Sequence, residues 1–295
     1  MNKAFSLLLL GLCLGTTAHA QTLDEFQELL QGGDTIAQLN LLKKWEKTGS
    51  NNPDYYIAGF NYHVNVAHKE GISLQSTPGD SEESLALSDS TGTVGYLTGT
   101  EYYDEGHVNK ALDFIDAGIK KFPKRLDMRF GKVYLLGKVS YKSFVKEIVT
   151  TLDYHAKIKG KWLWTDNKTI EEANIKVPDN LHSYCLVLYN AEDDSLMPDM
   201  LQVAEAGLKQ FPNDVVLLSD ASIAHMLMNQ YDKGLVYMLR AEKIDPEDTI
   251  VLSNIALAYK NLADIANAKT YYNKIIAVGD ADAQKYAKAE LAKLN

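Results

Sequence analysis

Apolar residues recur at helical spacing through most of this chain, and the pattern is most regular between Pro212 and Asp280. Two stretches there, each opened by a proline that follows an amphipathic helix, start 34 residues apart at Pro212 and Pro246. Superposing them sets Leu218 on Leu252, Ala221 on Ile255, Ser222 on Ala256 and His225 on Tyr259. Farther along, Asn229 meets Ala263, Gly234 meets Ala268, Met238 meets Tyr272 and Ala241 meets Ile275. A self-similar stride of this length predicts a unit of two antiparallel helices, stacked on its copies. The small positions have a mechanical reason, since a side chain at a helix crossing sets how closely the two helices approach.

The rest of the pattern is read from the start of the chain. Short helices are predicted over Leu23 to Leu30 and Thr35 to Trp45, separated by Gly32-Gly33-Asp34, and a third runs from Pro53 to about His68. Helical period is lost between Gly71 and Thr100, where Asp89-Ser-Thr-Gly92 predicts a turn joining Leu85–Ser88 to Val94–Leu97 as a β-hairpin. From Asp104 the helical signal resumes, with Gly106, Ala111, Ile115, Gly118 and Pro123 marking one strong half-unit. Its preceding half reads as degenerate because the hairpin occupies it. Helices follow at Arg125 to Gly137, Tyr141 to Ile158, Asn180 to Ala191 and Pro198 to Gln210. The unit over 180–210 fits least well, because Leu188 stands where a small residue is expected. Ala281 to Leu294 predicts a closing helix that solvates the open end of the stack.

These positions resemble the tetratricopeptide repeat family, whose pattern places small residues eighth and twentieth, aromatics near the eleventh and twenty-fourth, and Pro thirty-second. The run from Phe122 to Lys132, Phe-Pro-Lys-Arg-Leu-Asp-Met-Arg-Phe-Gly-Lys, is similar to secreted members from bacteria of the Bacteroides and Flavobacterium type. The resemblance implies an all-α, tetratricopeptide-type α-solenoid of antiparallel helix pairs. A small β-hairpin or loop insertion interrupts it near residues 71–100. Residues 21–295 are expected to form one solenoid domain, with repeat-like units over 105–158 and 180–280 and a capping helix over 281–294. In this family the first helix of each unit lines a concave groove that holds an extended or helical peptide. Carried over position by position, the groove side comprises Val216, Ser219, Ile223 and Met226, then Ile250, Ser253, Leu257 and Lys260. The set is mostly apolar and hydroxylic, with Asn254 and Lys260 as isolated points for holding a carboxylate.

Composition adds compartment and partner class. Lys3, the apolar run Phe5 to Leu14 and Ala18-His19-Ala20 form a secretory signal over 1–20, with cleavage expected between Ala20 and Gln21. The expected location is periplasmic or secreted. The alternative, a lipoprotein anchored through Cys13, is disfavoured by Leu12, where such signals carry a small residue. The apolar run is shorter than a bilayer span, so no stable membrane insertion of the mature chain is expected. Loss of Lys3 moves the formal charge from −9 to −10. That balance opposes phosphate backbones, and nucleic acid is not expected as a partner. Cys185 alone remains after cleavage, so an internal disulfide is excluded.

Candidate chemistry is sparse. Glu82-Glu83 and Glu192-Asp193-Asp194 read as solvating charge, and Asn167-Lys168-Thr169 is a glycosylation-type triplet of no further signal. His63 and His68, five apart, fall on different helix faces and make a poor metal pair. His182 and Cys185, three apart, share a helix face. Cysteine is most often a buried residue, however, and no oxyanion-forming loop accompanies this one. Phosphate loops, Cys-x-x-Cys, His-Glu-x-x-His and Gly-x-Ser-x-Gly are all missing from the sequence. No catalytic residue, metal or cofactor is expected. The leading reading is a non-catalytic interaction scaffold of the bacterial cell envelope with a protein or peptide partner. The alternative is a carbohydrate-binding or hydrolytic accessory protein, using Trp162, Trp164, Tyr55-Tyr56 and Tyr102-Tyr103 as stacking platforms.

Overall fold

The computed structural model describes residues 24–49, 51–77, 84–90 and 92–294. The signal, its cleavage point, Cys13 and the Glu82-Glu83 pair lie outside them. The chain divides into two compact units at Val139/Ser140, within the 105–158 block of the single solenoid domain expected over 21–295.

In the first unit, helix α1 (24–31) turns at Gly33, whose φ of 70° is in the left-handed region that glycine adopts without strain. Asp34 then caps α2 (Thr35–Gly49) by accepting from the Ala37 amide at 2.9 Å. Helix α3 (Pro53–Ala67) opens with proline in its first turn and Asn52 as its cap. One core cluster joins Phe26, Leu41, Leu42 and Trp45 to Tyr55, Ala58 and Tyr62. Trp45 meets the Tyr55 ring edge-on with centroids 6.1 Å apart, a favoured aromatic geometry.

Helix α4 (Glu105–Lys121) packs back along α3, so these two helices are the antiparallel pair. This corrects the expectation of a degenerate half-unit before Asp104: its first helix is α3, complete, and the insertion occupies the turn. The main chain explains how. The Asp104 amide donates to the Ala67 carbonyl at 2.8 Å, so the insertion leaves and rejoins the pair at one point. Close packing is set by Gly118, where an added Cβ would lie 2.8 Å from Tyr56 Cβ. A second cluster, including Phe60, Val108, Ala111, Ile115, Met128 and Leu135, carries the core on to α5 (Leu126–Val139). Before α5, buried Arg125 reaches Asp127 at 2.6 Å and Asp54 at 3.6 Å, which compensates its loss of hydration.

The insertion is larger than a hairpin. Strands β1 (His68–Gln75), β2 (Leu85–Asp89) and β3 (Gly92–Tyr103) form an antiparallel sheet in the order β1-β3-β2. The expected turn near Asp89–Gly92 joins β2 to β3, but β3 runs on to Tyr103 and pairs along its length with β1, His68 opposite Tyr103. Period-2 alternation in Ile72-Ser-Leu74 signals the extra strand, although its partner lies more than twenty residues away.

The second unit begins with α6 (Tyr141–Ile158) and continues through a connection, 159–176, that the repeat template lacks. Helix pairs then follow in register: α7 (Val177–Tyr189) with α8 (Met197–Gln210), α9 (Val215–Leu227) with α10 (Tyr231–Ile244), α11 (Thr249–Asn261) with α12 (Ile265–Val278). Each second helix also packs on the next first helix, and α13 (Ala281–Ala292) closes against α12. Asp214 and Asp248, 34 apart, cap α9 and α11, while Asn229 and Ala263, also 34 apart, turn both pairs at φ 59°. At the crossing of α9 and α10, Ser222 Oγ donates to the Gly234 carbonyl at 2.9 Å, and a Cβ on Gly234 would stand 3.0 Å from the Ser222 carbonyl. Ala256 and Ala268, both fully buried, occupy the equivalent crossing of α11 and α12. Leu188 is fully buried as well, filling with a large side chain what its sister units fill with small ones.

Ala256→Leu is expected to destabilise the protein by about 1–3 kcal/mol through overpacking at this crossing, read as a lower urea midpoint with an unchanged slope.

Candidate functional site

Helices α7, α9 and α11 each contribute one face to a shared surface of the second unit. The stride that repeats the core also repeats this face, so residues 34 apart take equivalent positions on successive first helices and make rows. Val216 and Ile250 form one such row and are 47% and 68% exposed. Ile223 and Leu257 form a second, half-buried and 37% exposed. Between the rows, Ser219 and Ser253 turn their hydroxyls onto the carbonyls of Val215 (2.9 Å) and Thr249 (2.6 Å), which leaves this part of the face without free donors.

Two of the expected groove residues are placed differently. Met226 is buried, its Cγ packed toward Gly234, because the missing side chain at 234 opens a slot that the thioether fills. Lys260 donates to Glu290 Oε2 of α13 at 2.8 Å, so its charge ties down the closing helix. The exposed apolar residues Tyr189 and Leu227 extend the surface instead. Tyr189 lies one stride before Ile223, so carrying the stride back into the poorly matching unit finds it. An open cleft of about 490 Å³ contains both, with Met197 and the carboxylates Glu192, Asp193 and Asp194 around it.

One stride before Val216 stands His182, and it is the polar exception. Its Nδ1 lies 3.0 Å from both oxygens of Asp220, a side chain that is 3% exposed. A carboxylate only accepts, so Nδ1 carries the hydrogen, and a neutral ring presents a bare Nε2. Desolvation pushes Asp220 up to about 6, with His182 and Cys185 pulling partly the other way. Cys185 is fully buried, and its Sγ contacts the Met200 carbonyl at 3.9 Å. Burial foremost, then Asp220, raises its pKa far above that of an ordinary thiol. The arrangement holds the sulfur protonated, the reverse of what a nucleophile requires.

The other candidates divide between packing and exposed positions. Trp162 is buried at 2% exposure and donates from Nε1 to His155 Nδ1 at 2.9 Å, so it pins the 159–176 connection to α6 and offers no face to a sugar. Tyr55 is buried in the first core cluster, while Tyr102 is exposed on β3. Asn167 sits in an exposed turn at φ 56°. His63 is partnered by His107 rather than His68: their Nδ1 atoms are 3.0 Å apart between α3 and α4. A pairing across 44 residues has no signal in local spacing. His68 instead reaches Glu101 across the sheet at 3.3 Å. Among the described residues, no group of three or more His, Cys, Asp or Glu is placed to hold a metal ion, and no helix is long and apolar enough to cross a membrane.

No family model matches the chain, and no curated protein matches it. Among solved structures it is similar to YrrB, described as a TPR protein with an unusual peptide-binding site, at 16% identity and a TM-score of 0.38, covering 62% of this chain and 84% of that one. The C-terminal part of a TPR repeat-containing protein from Cytophaga hutchinsonii matches at 14% identity and a TM-score of 0.44, over 87% of this chain and 78% of that one. A tetratricopeptide repeat protein from Parabacteroides merdae matches at 12% identity and a TM-score of 0.38, over 90% and 81%.

The paired histidines give the first unit a pH dependence. Burial foremost, then the His107 ring and the Lys110 ammonium, hold His63 down to about 4 from its ordinary 6.5. Between those values the folded chain binds fewer protons at this site than the unfolded chain does, so this contribution to stability is lost as pH falls through the window. Urea unfolding at about pH 7 and about pH 4.5 is expected to show the loss, and His63→Gln to narrow the difference. The chain's own stride, realised as antiparallel helix pairs stacked over 177–292, with small residues at the crossings of α9 with α10 and α11 with α12, makes its second unit a tetratricopeptide-type α-solenoid.

Proposed function

We propose that this protein is a non-catalytic interaction scaffold of the bacterial cell envelope, holding an apolar or helical segment of a protein partner on the face built by α7, α9 and α11. The supporting observation is that Val216, Ile250 and Leu257, with Tyr189 and Leu227 beside them, stay exposed on helices that are packed in the core along their opposite side. A contiguous apolar surface on a folded chain marks a place where another surface is received. Its rows repeat at the spacing of adjacent helices, which suits a segment presenting apolar residues at regular intervals. The hydroxyls within the face are satisfied internally, so affinity comes from apolar burial. The envelope location draws on the signal pattern of Lys3, Phe5 to Leu14 and Ala18-His19-Ala20.

Affinity capture from an envelope fraction is expected to recover a defined partner with the wild-type chain and to lose it with the Ile223→Asp, Leu257→Asp double variant. An unchanged captured set, with a variant whose circular dichroism and melting match wild type, places the partner elsewhere. Intact-mass measurement of the protein exported from its native host is expected to give a chain beginning at Gln21. A mass that retains residues 1–20, or one carrying lipid on Cys13, contradicts the location proposed.

A further inference from the structure

The connection between α6 and α7 is longer than a repeat needs, and it walls a cleft of about 440 Å³ that the repeat pattern does not account for. The size lies in the range of small-molecule sites. Its apolar lining comes from Phe211 at the end of α8, buried Ile170 and Val177, and half-buried Ile175. Around that lining stand two kinds of charge. Lys159, just past α6, and Lys176, just before α7, are cationic; Glu171 in the connection, Asp179, in the first turn of α7, and Asp214, the cap of α9, are anionic.

One donor in the cleft is fixed. The Trp162 indole can only donate, and its Nε1 lies 2.9 Å from His155 Nδ1, so that nitrogen is the acceptor and the hydrogen of the neutral ring is on Nε2. A side chain at position 160 would crowd this nitrogen: a Cβ there would lie 3.3 Å from Nε2, and the φ of 70° is one that glycine adopts without strain. The His155 ring is further held against Phe211, centroids 5.3 Å apart. An oriented N–H therefore sits beside the apolar wall, with ammonium and carboxylate groups of the protein at the rim.

We propose that this cleft binds a free α-amino acid with an apolar side chain. The side chain packs against Phe211, Ile170 and Val177. The ligand carboxylate is received by the His155 Nε2–H with Lys159 and Lys176, and its ammonium by Asp179 and Asp214. A simple organic anion would meet the three carboxylates of Glu171, Asp179 and Asp214 as repulsion, and a simple amine would meet the two lysines, so a ligand bearing both charges suits the rim better than either. The proposal does not depend on the partner-binding face, which uses other residues.

Calorimetric titration of the full-length mature protein with L-phenylalanine and L-leucine tests it. Titrations with N-acetyl-L-phenylalanine, lacking the ammonium, and L-phenylalaninamide, lacking the carboxylate, run beside them. Saturable binding of the free amino acids is expected, roughly tenfold or more tighter than of either analogue. It should weaken to a similar degree in Lys176→Gln and in Asp179→Asn, both exposed positions, in variants whose circular dichroism and melting match wild type. Quenching or shift of Trp162 emission should track the same isotherm. Absence of saturable binding, equal affinity for all four compounds, or undiminished binding by both variants overturns the proposal. Tighter binding of the amide than of the free amino acid also overturns it, since that pattern belongs to a peptide N-terminus.

Discussion

The fit between two antiparallel helices at their crossing is the constraint on which the rest of the second unit depends. Where Ser222 and Gly234, or Ala256 and Ala268, come together, little side chain stands between the main chains. The helices approach closely enough for Ser222 to bond the opposing carbonyl. Once that separation is set, the flanking large residues Leu218, Met238, Leu252, Tyr272 and Ile275 fill the remaining space and are fully buried. Repeating the same crossing every 34 residues carries each first helix into alignment with the next. The rows of exposed apolar residues are a by-product of that alignment.

The same logic explains what was legible in the sequence. Helix pairs α9/α10 and α11/α12 follow directly from the spacing of Pro212 and Pro246 and from the matched small residues, because the crossing constraint leaves its mark at fixed positions. The pair α7/α8 is harder to read, since Leu188 solves the same problem with bulk. In the first unit, α3 pairs with α4 across the whole insertion, and no local pattern reports a partner beyond a sheet of three strands. Strand β1 carries its alternation openly, yet its neighbour is β3, so strand content is readable there while topology is not.

Site residues divide along similar lines. Val216, Ile250 and Leu257 are exposed as their repeat positions imply, because outward direction follows from helical phase alone. Met226 and Lys260 follow the phase equally well but have local partners, Gly234 and Glu290, that sequence spacing does not report. The His182–Asp220 and His63–His107 contacts belong to the same class: each joins different helices, and each depends on a ring orientation that only packing decides. Cys185 illustrates the opposite case. Its residue type alone argues for burial, and the interior position keeps the thiol protonated.

The single hydrogen bond from the Asp104 amide to the Ala67 carbonyl has an engineering consequence. The polypeptide departs from and re-enters the α3–α4 hairpin through adjacent points, with Tyr103, the last residue of β3, packed on the second core cluster as its anchor. Extra residues placed beyond those anchors add the weak logarithmic cost of closing a longer loop. The junction is thus a natural splice point, where a tag or a whole reporter domain with neighbouring termini can stand between His68 and Tyr103 while the hairpin keeps its register.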